Sequence, residues 1–230
     1  MRRHILPLLL AAALLAAGGC ALRAPAPPEP EEPAEIIQDT PEIPPEPADP
    51  APDAPEPGDF VRVRDYLPQV GVDLRYAGTD NFTGQVIYDS DEAYLRYGTV
   101  KKLLAAQNEL SGHGLSLKIW DAYRPVSAQF KLWEICPNPV YVSDPNNGYS
   151  KHSRANTVDI TLVTSTGESI PMPSGFDDFT SLADRDYSDV SAEAAENARL
   201  LESIMVENGF VPYSGEWWHY SDSVNYDVYG

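Results

Sequence analysis

The chain has four histidines, and two of them stand among residues able to do chemistry. His152 lies in Ser150-Lys151-His152-Ser153-Arg154, seven residues before Asp159, and His219 lies in Glu216-Trp217-Trp218-His219-Tyr220. Taken singly, a histidine near an aspartate is ordinarily a hydrogen-bonded structural pair. Together they offer two imidazoles and one carboxylate, a common three-ligand set for catalytic zinc that leaves a fourth position open for water. Glu216, three residues before His219, is spaced to sit beside a metal held by that histidine. A carboxylate there can take a proton from bound water and pass it to a leaving amine; otherwise it is an acidic residue in an aromatic turn. Arg124, in Trp120-Asp121-Ala122-Tyr123-Arg124-Pro125, has planar donors suited to a substrate carboxylate or a developing oxyanion. Its structural alternative is an ion pair with Asp121. His4 belongs to the N-terminal leader, and His113, between Gly112 and Gly114, reads as a turn residue.

These residues need elements to hold them. Val158 to Val163 alternates as a strand, with Val158, Ile160 and Leu162 on one face and Asp159 on the other. A carboxylate on that second face must meet water, a partner or a metal. Leu115 to Trp120 alternates likewise, and Val61-Arg62-Val63 and Val72 to Tyr76 read as shorter strands. Asn81 to Gly84 and Asp144 to Gly148 read as turns. Glu92 to Ser111 has helical apolar spacing and stops at Gly112; Val126 to Ile135 follows a proline; Ser191 to Asn208 begins at a capping serine and ends before Gly209. Val211 to Tyr220 is strand-like. The pattern predicts an α+β fold: a single compact domain over residues 60–230, with a small, mainly antiparallel sheet flanked by helices and the metal site at the sheet.

Composition narrows the function. The formal charge is −19 on 230 residues, and a surface so acidic is a poor partner for phosphate backbones, which excludes nucleic acid. There is no Gly-x-Ser-x-Gly elbow, no Walker sequence and no dinucleotide glycine motif.

The N-terminus reads as an address. Arg2 and Arg3 precede an apolar run from Ile5 to Ala17, the layout of a secretory signal, and the run is too short to span a bilayer. Leu15 to Cys20 resembles a bacterial lipobox, which implies cleavage after residue 19 and lipidation of Cys20. Residues 21–59 then hold 13 prolines and 11 acidic residues against one base, Arg23. Such a segment cannot bury enough apolar surface to offset its ordering entropy, and in extended form reaches on the order of 100 Å. The expected organisation is a signal peptide at 1–19, a lipidated Cys20 with a disordered tether at 20–59, and the folded domain. With Cys20 lipidated, Cys136 has no disulfide partner and is expected as a structural, buried thiol.

Three segments in order resemble the VanX-type D-alanyl-D-alanine dipeptidases of the zinc D,D-peptidase superfamily: Asp121 to Pro125, Ser150 to Asp159, and Glu216 to Tyr220. Val72 to Tyr76, Asn81 to Gly84 and Gly175 to Phe179 add to the likeness, which spans about residues 60–228. The resemblance implies one Zn2+ per chain on His152, Asp159 and His219, with Glu216 as catalytic base. It also implies that Arg124 stabilises the transition state and that Ser150 lines the substrate site. The implied reaction is hydrolysis of D-alanyl-D-alanine or a similar small D,D-dipeptide. Given the address, this takes place outside the cytoplasm on a lipid-anchored protein and is linked to wall-peptide turnover. Trimming of peptidoglycan stem peptides and non-catalytic wall binding are the alternatives.

Two positions depart from that family's pattern. Ala155 replaces a glycine, which strains the turn if its φ is positive. Pro171 precedes Met172 where the family tends to have an acidic residue that holds the substrate's free amine, which predicts weaker selection for a free N-terminus.

Overall fold

The computed structural model describes residues 54–229; the leader, Cys20 and the tether as far as residue 53 lie outside them. The chain runs β1 (Phe60–Arg62), β2 (Gly71–Val72), β3 (Tyr94–Arg96), α1 (Tyr97–Ser111), β4 (Leu115–Asp121), α2 (Val126–Ile135), β5 (Thr157–Thr164), α3 (Ala192–Glu207), β6 (Phe210–Tyr213) and β7 (Glu216–Asp222). The main sheet has the order β2-β4-β5-β7-β6, antiparallel except for the β2–β4 pair, and β1 pairs with β3 in a separate two-stranded sheet. This is the α+β architecture that the alternation of elements predicts. Among these residues no helix is long and apolar enough to cross a membrane.

The period-two pattern of β4 and β5 places Leu117, Ile119, Val158, Ile160 and Leu162 in the core. Val100, Leu103 and Leu110 of α1 and Ala198, Leu201 and Ile204 of α3 belong to the same buried cluster. Truncating Ile160 to alanine there costs about 2–5 kcal/mol. The Ser191 hydroxyl accepts from the Ala194 N–H and caps α3, and Gly209 leaves the helix at φ +84°, a conformation that needs no Cβ. Lys102 and Thr99 of α1 donate to Asp222 at the end of β7, which ties the helix to the sheet.

Three elements depart from their predicted extents. The helix expected from Glu92 begins at Tyr97, because Tyr94–Arg96 is taken up by pairing with Phe60–Arg62, a long-range contact that helical spacing does not show. The strand expected over Val72 to Tyr76 is only Gly71–Val72; a 3-10 turn at Arg75–Ala77 follows, and the Ile87 and Tyr88 N–H groups donate to the Tyr76 carbonyl. Val211 to Tyr220 divides into the β6–β7 hairpin. Cys136 is free and half-buried rather than fully buried, since it sits at the C-terminal cap of α2.

Candidate active site

Cross-strand register brings the acid and one imidazole together. Asp159 of β5 faces His219 of β7 as a direct antiparallel pair, with their Oδ1 and Nδ1 atoms 3.0 Å apart. His152 arrives on a 3-10 turn at Lys151–Arg154, before β5. The Ser150 hydroxyl caps that turn by accepting from the His152 N–H. Ala155 closes it at φ +59°, ψ +29°, so the position does demand the left-handed conformation that glycine adopts freely.

His152 Nε2 lies 3.3 Å from Asp159 Oδ2 and 3.4 Å from His219 Nδ1. One candidate ligand atom from each of the three residues lies within 4.8 Å of the others. The Ala122 carbonyl accepts from His152 Nδ1 at 2.8 Å, which fixes the tautomer and turns the Nε2 lone pair toward the cluster. Asp159 Oδ1 is buried and makes no hydrogen bond despite the nearby imidazole. An orphaned carboxylate oxygen between two imidazoles fits a divalent cation. Burial alone would raise the Asp159 pKa, but the two imidazoles outweigh it and hold the carboxyl well below the usual range. The imidazoles therefore favour an anionic ligand at Asp159 against the effect of burial.

Glu216 Oε2 stands 3.4 Å from His219 Nδ1. Burial pushes its pKa up while His219 opposes that shift, which leaves a carboxylate suited to exchanging a proton. Arg124 is held from behind: Nε and Nη2 donate to Asp121 Oδ2, and Nη1 donates to Gln129 Oε1. The sequence alternatives for Arg124 coexist, since the Asp121 pair fixes a guanidinium that also lines the cavity. Asp121 is fully buried, accepts from the Tyr88 hydroxyl at 2.5 Å and lies 3.6 Å from His152 Nδ1, so one acid fixes the arginine and sets a negative charge beside the histidine.

His152, Asp159, His219, Glu216, Arg124 and Ser150 all line one cavity of about 270 Å3, so the six residues named from sequence converge. Cys20 lies outside the described residues. Tyr76 and Asp177 also line it, and neither carries a role in the sequence reading. The Tyr76 hydroxyl donates to Asp177 Oδ2 at 2.7 Å, and burial pushes the Asp177 carboxyl up to about 7. Asp177 sits in Gly175-Phe176-Asp177 at φ +53°, a left-handed acidic residue facing a cleft. Pro171 is exposed, does not line the cavity, and its carbonyl accepts from Asn197; Asp177, six residues on, supplies a carboxylate to the cavity.

A buried histidine and aspartate joined by a half-buried histidine, with a glutamate alongside and an arginine facing the same cleft, define a metal-dependent hydrolase site. Residues 57–227 match the family described as D-ala-D-ala dipeptidase, and the chain belongs to that family. It is a metallopeptidase of the D,D-peptidase type, and the family's zinc dependence agrees with the donor set of His152, Asp159 and His219. A D-alanyl-D-alanine dipeptidase of Escherichia coli (strain K12) is 39% identical over 153 residues, covering 66% of this chain and 79% of that protein. One from Enterococcus faecium is 36% identical over 168 residues, covering 64% and 83%. The solved structure of VanYB in complex with D-Alanine-D-Alanine aligns at a TM-score of 0.39 and 15% identity, over 59% of this chain and 75% of that one.

Proposed function

We propose that this protein is a zinc-dependent dipeptidase for D,D-dipeptides with a free amine, held outside the cytoplasm at a bacterial membrane by lipidated Cys20. The observation that carries the substrate class is Asp177: a carboxylate lining the cavity whose one hydrogen-bond partner among the described residues is the Tyr76 hydroxyl. A half-buried carboxylate that forms no ion pair among the described residues complements a substrate ammonium group. Arg124, fixed by Asp121 and Gln129 and lying over the Tyr76 ring at 5.0 Å, complements negative charge in the same cavity.

His152, Asp159 and His219 would hold the zinc ion, which when bound would supply Lewis acidity and acidify a water. Glu216 would hold the proton of the attacking water and pass it to the amine of the departing D-alanine. Asp177 and Tyr76 bind the substrate's amino end, Arg124 steadies the developing oxyanion, and Ser150 lines the pocket while fixing the turn that carries His152. The Pro-rich segment would place this domain away from the bilayer, within reach of wall-derived peptides, which suits a role in their turnover.

The test compares D-alanine release from free D-alanyl-D-alanine and from its N-acetyl derivative. Chelator-sensitive release from the free dipeptide, with the acylated one cleaved poorly, is the expected outcome. Preference for the acylated peptide would make the protein a carboxypeptidase. Membrane fractionation of a Cys20→Ala variant tests the anchor, and retention in the membrane would refute it.

A further inference from the structure

Asp159, Thr161 and Val163 share one face of β5, and past Asp159 that face runs on beneath the segment containing Ser169 to Ser174. A second cavity, of about 160 Å3, opens between them and shares no lining residue with the catalytic one. Its polar lining is Arg75, Lys118, Trp120, Thr161, Ser169 and Ser174; in this strongly acidic chain, no carboxylate lines it.

Its donors are poorly satisfied. Trp120 is 7% exposed, and its Nε1–H is buried without an acceptor. Arg75 lies over the Trp120 ring and pairs through Nη atoms with Asp73 and Asp80, yet its buried Nε–H also lacks an acceptor. Lys118, half-buried and paired in register with Thr161, has no carboxylate partner among the described residues. A buried N–H without an acceptor is costly, and two beside an unpaired ammonium form a lining that favours an acceptor-rich, negatively charged guest.

We propose that this cavity binds a small oxyanion, a carboxylate or a phosphate, with Lys118, Trp120 Nε1 and Arg75 Nε as donors. The Lys118 ammonium supplies the charge, the indole and guanidinium N–H groups supply direction, and Met172 and Leu162 shield the site from water. This inference does not depend on the dipeptidase reading.

The experiment is calorimetric titration of the zinc-loaded protein with inorganic phosphate and, separately, with acetate. Saturable binding is expected, weakened about tenfold or more in Lys118→Gln by loss of a charged hydrogen bond. Trp120→Phe keeps an aromatic ring, removes the donor and should also weaken binding. His152→Ala, which dismantles the metal cluster, should leave this binding intact. A response to phosphate alone assigns a phosphate ligand, and a response to acetate assigns a carboxylate. Absence of saturable binding overturns the proposal. So does binding unchanged in Lys118→Gln, or binding lost only in His152→Ala, which would put the anion on the metal. If Trp120→Phe misfolds, Lys118→Gln at the half-exposed cavity edge decides the matter.

Discussion

Asp159 and His219 are direct cross-strand partners, so the sheet register itself sets two members of the metal cluster 3.0 Å apart. His152 comes from a separate turn, and Glu216 from the start of the strand that carries His219. Binding metal and moving a proton therefore belong to different side chains and can be separated by mutation. His152→Ala should abolish zinc retention, whereas Glu216→Ala should retain zinc and lose about 10²–10⁴-fold in turnover. Metal analysis alongside D-alanine release checks both, and unchanged turnover in Glu216→Ala would remove that residue from the mechanism.

Asp177 is assigned to the substrate amine, and the Tyr76 hydroxyl alone holds it among the described residues. Asp177→Asn keeps the shape and deletes the charge. It should lower kcat/KM for the free dipeptide about tenfold or more, mainly through KM, with little change for the acylated dipeptide. Equal losses on both substrates would assign Asp177 a structural role.

The same residue makes stability depend on pH. Burial, with the charges of Asp159 and Glu216, raises its pKa from the ordinary 3.8 to about 7. Between those values the folded chain keeps a proton that the unfolded chain has released, so the contribution is full below 3.8 and is lost as pH rises toward 7. Urea unfolding of the parent and Asp177→Asn should show a parent-minus-variant stability that declines across this window. A flat difference would contradict the shift.

Ala155 is fully buried at φ +59° and ends the turn that carries His152. A β-branched side chain there meets both left-handed strain and a filled core. Ala155→Val should cost roughly 2 kcal/mol or more and weaken zinc retention. Denaturant unfolding with and without zinc measures both effects.

Much of this site is legible in the sequence because the chemistry is concentrated in rare residues. Two histidines outside the leader and the turn, one aspartate opposite the apolar face of its strand and one nearby glutamate leave few ways to build a metal centre. The alternation of Val158, Ile160 and Leu162 fixes the face on which Asp159 lies, since side chains on a strand alternate sides whatever the tertiary context. The helices at Val126–Ile135 and Ala192–Glu207 are equally local, set by spacing and caps.

What tertiary structure decided are the contacts between residues far apart in the chain. Tyr76 and Asp177 are 101 positions apart and meet only because a 3-10 turn and a left-handed residue aim them into one cavity. Neither conformation has a periodicity to read. The pairing of Tyr94–Arg96 with Phe60–Arg62, which trims the first helix, is decided by hydrogen bonds that form only after the chain has closed. Asp121 likewise looks like an ordinary acid in sequence. Burial beneath both Arg124 and His152 makes it the anchor of the site, because a charge taken from water must find its partners inside the fold.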